Sequence, residues 1–402
     1  MTSQYVVLKS LPSPAADTFG WSLPGPRIAG GAALKLPGSS VEVEVVTMPR
    51  SDMLELAARP DTLALAPVVP MKLIAPVKIA DNNAAPSSLG QAWGLHAVGA
   101  DDTSFTGAGV VVAVVDTGID ASHPAFAGVT LVEKDFTGEG NGDNNGHGTH
   151  CAGTIFGRPV DGVPIGVAPG VTRALIAKVL DANGSGSSES IVKGILWAVE
   201  QGAHVISMSV GMDFPGLVKA MGESGWPVDL ATSRALEAYR ANTRLFDSLA
   251  AMVASGGLAR QKAVIIAAAG NESRRELDAD YEISVAPPAV AVGIVSVGAL
   301  GQVDGKYKVA DFSNTGPNIS GPGVDILSAK AGGGLITMSG TSMATPHVAG
   351  VAALWAEKLM KTGSLNEFQL ISRLAGNAAD GQFAPGTEAV DYGAGMVRSP
   401  SA

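Results

Sequence analysis

The stretch VVAVVDTGID, residues 111–120, decides how the chain is read. Five apolar residues end at Asp116 and are followed at once by Thr117 and Gly118. A run apolar on both faces predicts a strand buried inside a parallel sheet. The abrupt change to polar residues places the Asp116 carboxylate at the strand's carboxyl end, where open α/β folds carry their active sites. Runs of the same kind recur at 174–180, 204–210, 263–270 and 291–299, and helical patterns over 189–201 and 343–361 alternate with them. The expectation is an α/β fold of three layers with a mainly parallel central sheet. No fixed-period repeat interrupts it.

Composition supports a packed body. Of 402 residues, 46% are hydrophobic and 16% charged, and the 51 glycines follow no three-residue period, so tight loops rather than collagen or disorder account for them. The net charge of −10 leaves no basic footprint for nucleic acid, which is excluded as a partner. A single cysteine, Cys151, cannot form an intrachain disulfide. Neither a signal-peptide run near the start nor about 18 uninterrupted apolar residues elsewhere is visible, so no membrane partner is expected and the compartment stays open.

The N-terminal part reads differently. Residues 4–9 and 41–48 predict strands separated by a Pro/Gly-rich stretch over 11–39, Ser51 is the expected N-cap of a helix over 52–59, and 62–73 is again apolar. The sequence APVKIADNNAAPSSLG (75–90) loses periodicity as a linker does. These features divide the chain into a small α+β unit over 1–84 and a larger domain over 85–402.

Two further segments present reactive side chains. His147 lies in NNGHGTHCAGT (144–154), and Ser342 lies in SGTSMATPHVAG (339–350), where a Gly-Thr turn opens a helix. A serine hydroxyl becomes a useful nucleophile when an imidazole takes its proton, and the imidazole needs a carboxylate to fix its tautomer. Asp116, His147 and Ser342 are such a set. The strand over 263–270 leads to Asn271, whose amide could hold an oxyanion together with the Ser342 N–H. An isolated strand-end aspartate or helical histidine is more often structural; four such residues in these contexts are not. His147 and His150 at i, i+3 lack an evident third metal ligand, and Cys151 falls one turn below His147 as a small buried residue. His123 and His347 read as structural.

VVAVVDTGID, NNGHGTHCAGT, SMSVG (207–211), AAAGNES (267–273) and SGTSMATPHVAG occur in the order and approximate spacing of the subtilisin-like serine proteases, the subtilases or peptidase family S8. Over residues 90–398 the chain resembles that family, and HGTHCAG with its cysteine is most similar to the proteinase K and thermitase branches. DYGAGMV (391–397) resembles the family's closing segment. The resemblance implies a serine endopeptidase that needs no cofactor for catalysis and takes polypeptide substrates. It gives the triad roles to Asp116, His147 and Ser342 and the oxyanion roles to Asn271 and Ser342.

It also implies two substrate-binding edges, Gly184, Ser185 and Gly186 on one side and Ser209, Val210 and Gly211 on the other. Ala268, Ala269, Gly270 and Ala286 would wall the pocket for the residue before the scissile bond. None is charged, so apolar or aromatic preference is expected, and Pro288 falls where the family often has a cis proline. The segment FGRPVDGVPI (156–165) lacks the family's Asn-rich calcium loop. Asp135, Glu139, Asn141 and Asp143 instead resemble the acidic calcium loop of thermitase, and make a structural calcium ion the one cofactor to consider. Residues 1–84 resemble the inhibitory propeptide, with the Pro/Gly-rich stretch in place of its first helix, so the chain's own N-terminal segment is expected as an intramolecular inhibitor. Residues 212–262 are an insertion, helical over 229–253. Two other functions fit the sequence less well. A peptide ligase or macrocyclase would share the acyl-enzyme, and product mass separates it from a hydrolase; a non-catalytic binding module would have lost a triad member.

Overall fold

The computed structural model describes residues 2–10, 34–35, 41–77, 93–256, 262–363 and 365–401. Its centre is a sheet whose strands run, from one edge to the other, Lys306–Val309, Ile294–Val303, Val264–Ala268, Val205–Met208, Val111–Asp116, Arg173–Lys178 and Thr130–Asp135. All neighbours are parallel except the hairpin of Ile294–Val303 with Lys306–Val309, and Ile319–Pro322 adds a parallel partner to Ile294–Val303. Val112, Ala113, Val114 and Val115 are all buried, because each face of the strand meets a separate layer. His147–Phe156 and Thr341–Lys361 pack with one core, and Ser188–Glu200 and Val228–Ser255 with the other. Sheet and layers agree with the fold read from the alternating runs.

The N-terminal unit is an antiparallel sheet ordered Leu34–Lys35, Val41–Pro49, Thr2–Ser10, Thr62–Pro67 with the helix Arg50–Ala57 on it. Two local expectations change here. The helix starts ahead of Ser51, with Pro49 as N-cap, and the Ser51 hydroxyl donates to Asp52 instead of capping. The apolar segment 62–73 breaks at Val68 and Val69 into Thr62–Pro67, which stays with this unit, and Pro70–Leu73, which leaves it for a three-stranded sheet on the larger domain. The expected boundary near residue 84, most of the linker and most of the Pro/Gly-rich stretch lie outside the described residues.

The stretch expected as an insertion, 212–262, holds two helices among its described residues, Phe214–Glu223 and Val228–Ser255. The second meets the N-terminal unit through Asn242 Nδ2, which donates to the Pro67 carbonyl at 3.0 Å, and through Arg50, whose guanidinium lies 2.9 Å from Glu237. Among the described residues no helix is long and apolar enough to cross a membrane.

Candidate active site

Asp116 ends its strand as expected, 1% exposed. Its Oδ1 accepts from the Thr117 N–H and from His147 Nδ1, each at 2.8 Å. His147 opens its helix because Gly146, at φ 96°, turns the chain into it. A Cβ on Gly148 would lie 2.2 Å from the Gly118 carbonyl, so only glycine lets this helix come down on the strand-end turn. Burial works against protonation of His147, but the Asp116 carboxylate outweighs it and holds the imidazole well above its ordinary value. Burial pushes the Cys151 thiol up and so keeps it neutral. His150 bonds the Ile326 carbonyl through Nε2 and is pushed down to about 3 by burial, which suits packing rather than chemistry. His347 Nδ1 bonds the Met343 carbonyl, and His123 caps a short turn, as structural histidines do.

Ser342 sits in the first turn of Thr341–Lys361, where N–H groups have no intrahelical partner. Four residues on, Pro346 has no N–H to give the Ser342 carbonyl, and that oxygen instead accepts from Cys151 Sγ at 3.3 Å. The same sulfur is 3.7 Å from His147 Nδ1, so Cys151 lies against the imidazole and the Ser342 backbone. Asn271 follows Gly270, whose φ of 116° turns the chain out of the strand. Its Oδ1 accepts from both the N–H and the hydroxyl of Thr341, at 2.9 and 2.8 Å. Both acceptor directions are thereby satisfied on one side, and Nδ2 is aimed across the cleft.

A peptide already lies in that cleft, and it is this chain's own. Pro70–Leu73 runs antiparallel between Ser185–Ser187 and Val210–Met212. Leu73 N donates to the Gly184 carbonyl at 2.7 Å, and Ile74 N to the Ser209 carbonyl at 3.1 Å. The two edges inferred for substrate are therefore brought together on either side of one extended segment. Gly184 has φ 76°, and a Cβ there would meet Leu73 at 2.9 Å. Ile74 lies against Gly211, where a Cβ would be 3.3 Å from its Cγ1. Beyond Ile74 the segment crosses the serine: Ser342 Oγ donates to the Ile74 carbonyl at 2.7 Å, Asn271 Nδ2 to the Ala75 carbonyl at 2.9 Å, and Val77 N to the Ser339 carbonyl at 2.8 Å. His147 Nε2 is buried and makes no hydrogen bond among the described residues, because the Ser342 hydroxyl is turned toward the strap. Sequence reasoning could not anticipate that diversion, since Ile74 and Ser342 are 268 residues apart.

Of the residues assigned to the pocket wall, Ala268 and Ala269 are buried, Gly270 N donates to Thr341 Oγ1, and Ala286 N donates to the Ala269 carbonyl at 3.2 Å. The Pro287–Pro288 bond is cis. The acidic loop is a different matter. Asp135 accepts from Thr137, Gly138 and Gly140, and Asp143 from Thr117, Gly146 and Thr149, so that in each case these donors outweigh burial and lower the carboxyl. Glu139 pairs with the buried Lys178 ammonium at 3.2 Å and accepts from Ala182 N. Asp135, Glu139 and Asp143 do not bring three ligand oxygens within 4.8 Å of one another, and loop donors and an ammonium engage the three carboxylates. The one group of three His, Cys, Asp or Glu ligand atoms within 4.8 Å of each other among the described residues is Asp116, His147 and Cys151.

A strand-end carboxylate, an imidazole bonded to it and a serine at a helix start, on a parallel sheet layered on both faces, bring together the three residue types of a serine triad. The subtilase family model matches residues 107–395, and the chain belongs to that family. It is 37% identical over 271 residues to subtilisin-like protease 6 of Trichophyton soudanense, covering 65% of this chain and 57% of that protein. Over 270 residues it is 37% identical to a thermostable alkaline protease of Halalkalibacterium halodurans, covering 65% of this chain and 62% of the relative. An intracellular serine protease of Paenibacillus polymyxa is 36% identical over 256 residues, 62% of this chain and 67% of that one. The chain thus spans about three fifths of the length of the first two. Among solved structures, fervidolysin from Fervidobacterium pennivorans, described as a keratinolytic enzyme related to subtilisin, has the same fold, with a TM-score of 0.67 at 23% identity over all of this chain and 62% of its own.

Proposed function

We propose that the chain is a serine endopeptidase that cleaves peptide bonds through an acyl-enzyme on Ser342 and carries its own inhibitor in residues 1–84. The observation that carries this reading is the extended strap lying between two edge strands with its carbonyls against Ser342 and Asn271. A substrate held the same way would present its scissile carbonyl to the Ser342 hydroxyl. His147 Nε2 takes the hydroxyl proton as Oγ bonds to the carbonyl carbon, and the Asn271 amide and Ser342 N–H hold the resulting oxyanion. Asp116 stabilises the imidazolium, which then protonates the departing amine; water repeats the sequence to free the acid. Ile74 beside Gly211, with uncharged Ala268, Ala269, Gly270 and Ala286 as walls, supports apolar preference before the scissile bond.

The same geometry supports inhibition. Hydrogen bonds of Leu73 and Ile74 set one register, but the oxyanion donor holds the next carbonyl, that of Ala75. The bond aligned with Asn271 is therefore Ala75–Pro76, whose nitrogen carries a ring in place of a hydrogen and obstructs proton delivery from His147. Self-cutting elsewhere in the window 71–90 would release the unit. Three measurements test the reading together. Ser342→Ala should abolish hydrolysis and phosphonofluoridate labelling and stay full length; wild type should accumulate a species beginning within 71–90; separately made residues 1–84 should inhibit it. Active protein still beginning near Thr2 would end the zymogen reading, and activity in Ser342→Ala the triad assignment.

A further inference from the structure

Between the N-terminal unit and the insertion helices lies a cavity of about 460 Å³, within the range of small-molecule sites. Tyr5, Leu65 and Val68 of the N-terminal unit form one wall, and Leu217 and Met221 of Phe214–Glu223 another. The helix Val228–Ser255 faces it with Ala238 and Ala241, too small to fill the space to the opposite sheet. The same helix sets Arg234, Arg240 and Arg244 at the cavity, with Glu237 the one acid lining it among the described residues. Glu237 is already shared by Arg50 at 2.9 Å and Arg234 at 2.8 Å. Arg240 and Arg244 are exposed at the cavity's rim and have no ion-pair or hydrogen-bond partner among the described residues. Spaced i, i+4, the two stand on one side of the helix.

An apolar cavity with two exposed guanidinium groups at its rim suits a ligand with an apolar body and an anionic end. We propose that it binds a long-chain carboxylate, with the alkyl chain between the two units and the carboxylate held by Arg240 and Arg244. A carboxylate meets guanidinium in paired, charge-assisted hydrogen bonds. Because both units line the cavity, the ligand binds only their docked arrangement and favours it by mass action. Its consequence for release of the strap rests on the inhibitor reading above; binding itself does not.

The test uses full-length Ser342→Ala protein, so that processing cannot remove half the cavity, and laurate below its micelle concentration, followed by calorimetry and thermal unfolding. Saturable one-to-one binding with a raised Tm is expected. The Arg240→Ala, Arg244→Ala double variant should bind at least tenfold more weakly, as should 1-dodecanol on the unmodified arginines. In a separate variant, Ala241→Phe should fill the cavity and block laurate while leaving both arginines in place. Circular dichroism and unprompted thermal unfolding of each variant establish that it is folded before binding is compared. No saturable binding, equal binding of dodecanol, or unchanged binding in either folded variant would overturn the proposal. Hydrolysis and processing by the wild type are measured apart, so failure of the protease reading would be seen independently.

Discussion

Ile74→Ala is the substitution that most directly asks whether the strap closes the site. Ile74 is 3% exposed, its side chain lies against Gly211, and its carbonyl accepts the Ser342 hydroxyl; Ser342 itself is fully buried. Truncating a buried isoleucine to alanine costs about 2–5 kcal/mol. Ile74 is buried by the cleft, so the loss falls on docking of the strap rather than on either folded unit. At about 1.4 kcal/mol per decade, the open population should rise by about 30-fold at the low end and more than about 10³-fold at the high end. The assay is the rate at which a phosphonofluoridate labels the intact chain, read by mass spectrometry so that processed species are counted apart. Leu63→Ala, at an N-terminal position 45% exposed, is the matched control and should leave the rate unchanged. If Ile74→Ala labels within threefold of wild type, the strap does not gate Ser342 and the reasoning fails.

The other expectations concern the site itself. Asn271→Ala keeps the nucleophile and removes one oxyanion donor; the loss seen for that donor in a subtilisin, about 10²–10³ in kcat, is expected here, and a change under about threefold would show another donor in its place. His147 must be neutral to accept the serine proton and is held above its ordinary value by Asp116, so kcat/KM should climb with pH along a limb centred above 6.5; a limb at or below that value refutes the assignment. The same shift adds stability that is complete below 6.5 and is lost as pH rises through the folded value. With Cys151 Sγ 3.7 Å from His147 Nδ1, a mercurial should inhibit by displacing the imidazole, whereas Cys151→Ser should stay active and resist it; an inactive but folded serine variant would argue for a catalytic thiol. Pro76→Ala should turn the strap into a substrate cut after Ala75, detected as a new N-terminus at position 76, and its absence would mean that register alone protects the bond.

Much of the fold could be read locally because its signals are local. Apolar residues run unbroken to Asp116, glycines flank His147 and a Gly-Thr turn precedes Ser342, so strand end, tight entry and helix start follow from short-range sterics. Where local signals are weak the reading missed or shifted elements. Thr130–Asp135 is an edge strand of partly buried, mixed residues with no apolar run to mark it. Ser51 had the chemistry of a cap, but Pro49, whose φ of −70° suits the approach to a helix, took that position. The acidic loop resembles a cation site in composition, and only the tertiary structure shows that its carboxylates also accept from backbone donors of their own turns and meet Lys178, a residue brought in from a neighbouring strand. The occupant of the cleft was the most remote from sequence. An apolar segment before a linker has the composition of something that could bind an edge strand, but which carbonyl meets Ser342 and which meets Asn271 depends on pairings across 268 and 196 residues. Sequence marked the side chains proposed to do the chemistry, because each is set off by its own neighbours. Tertiary structure alone decided the register of the strap and the direction of the serine hydroxyl, because a one-residue change of pairing exchanges one carbonyl for the next while leaving every local preference the same.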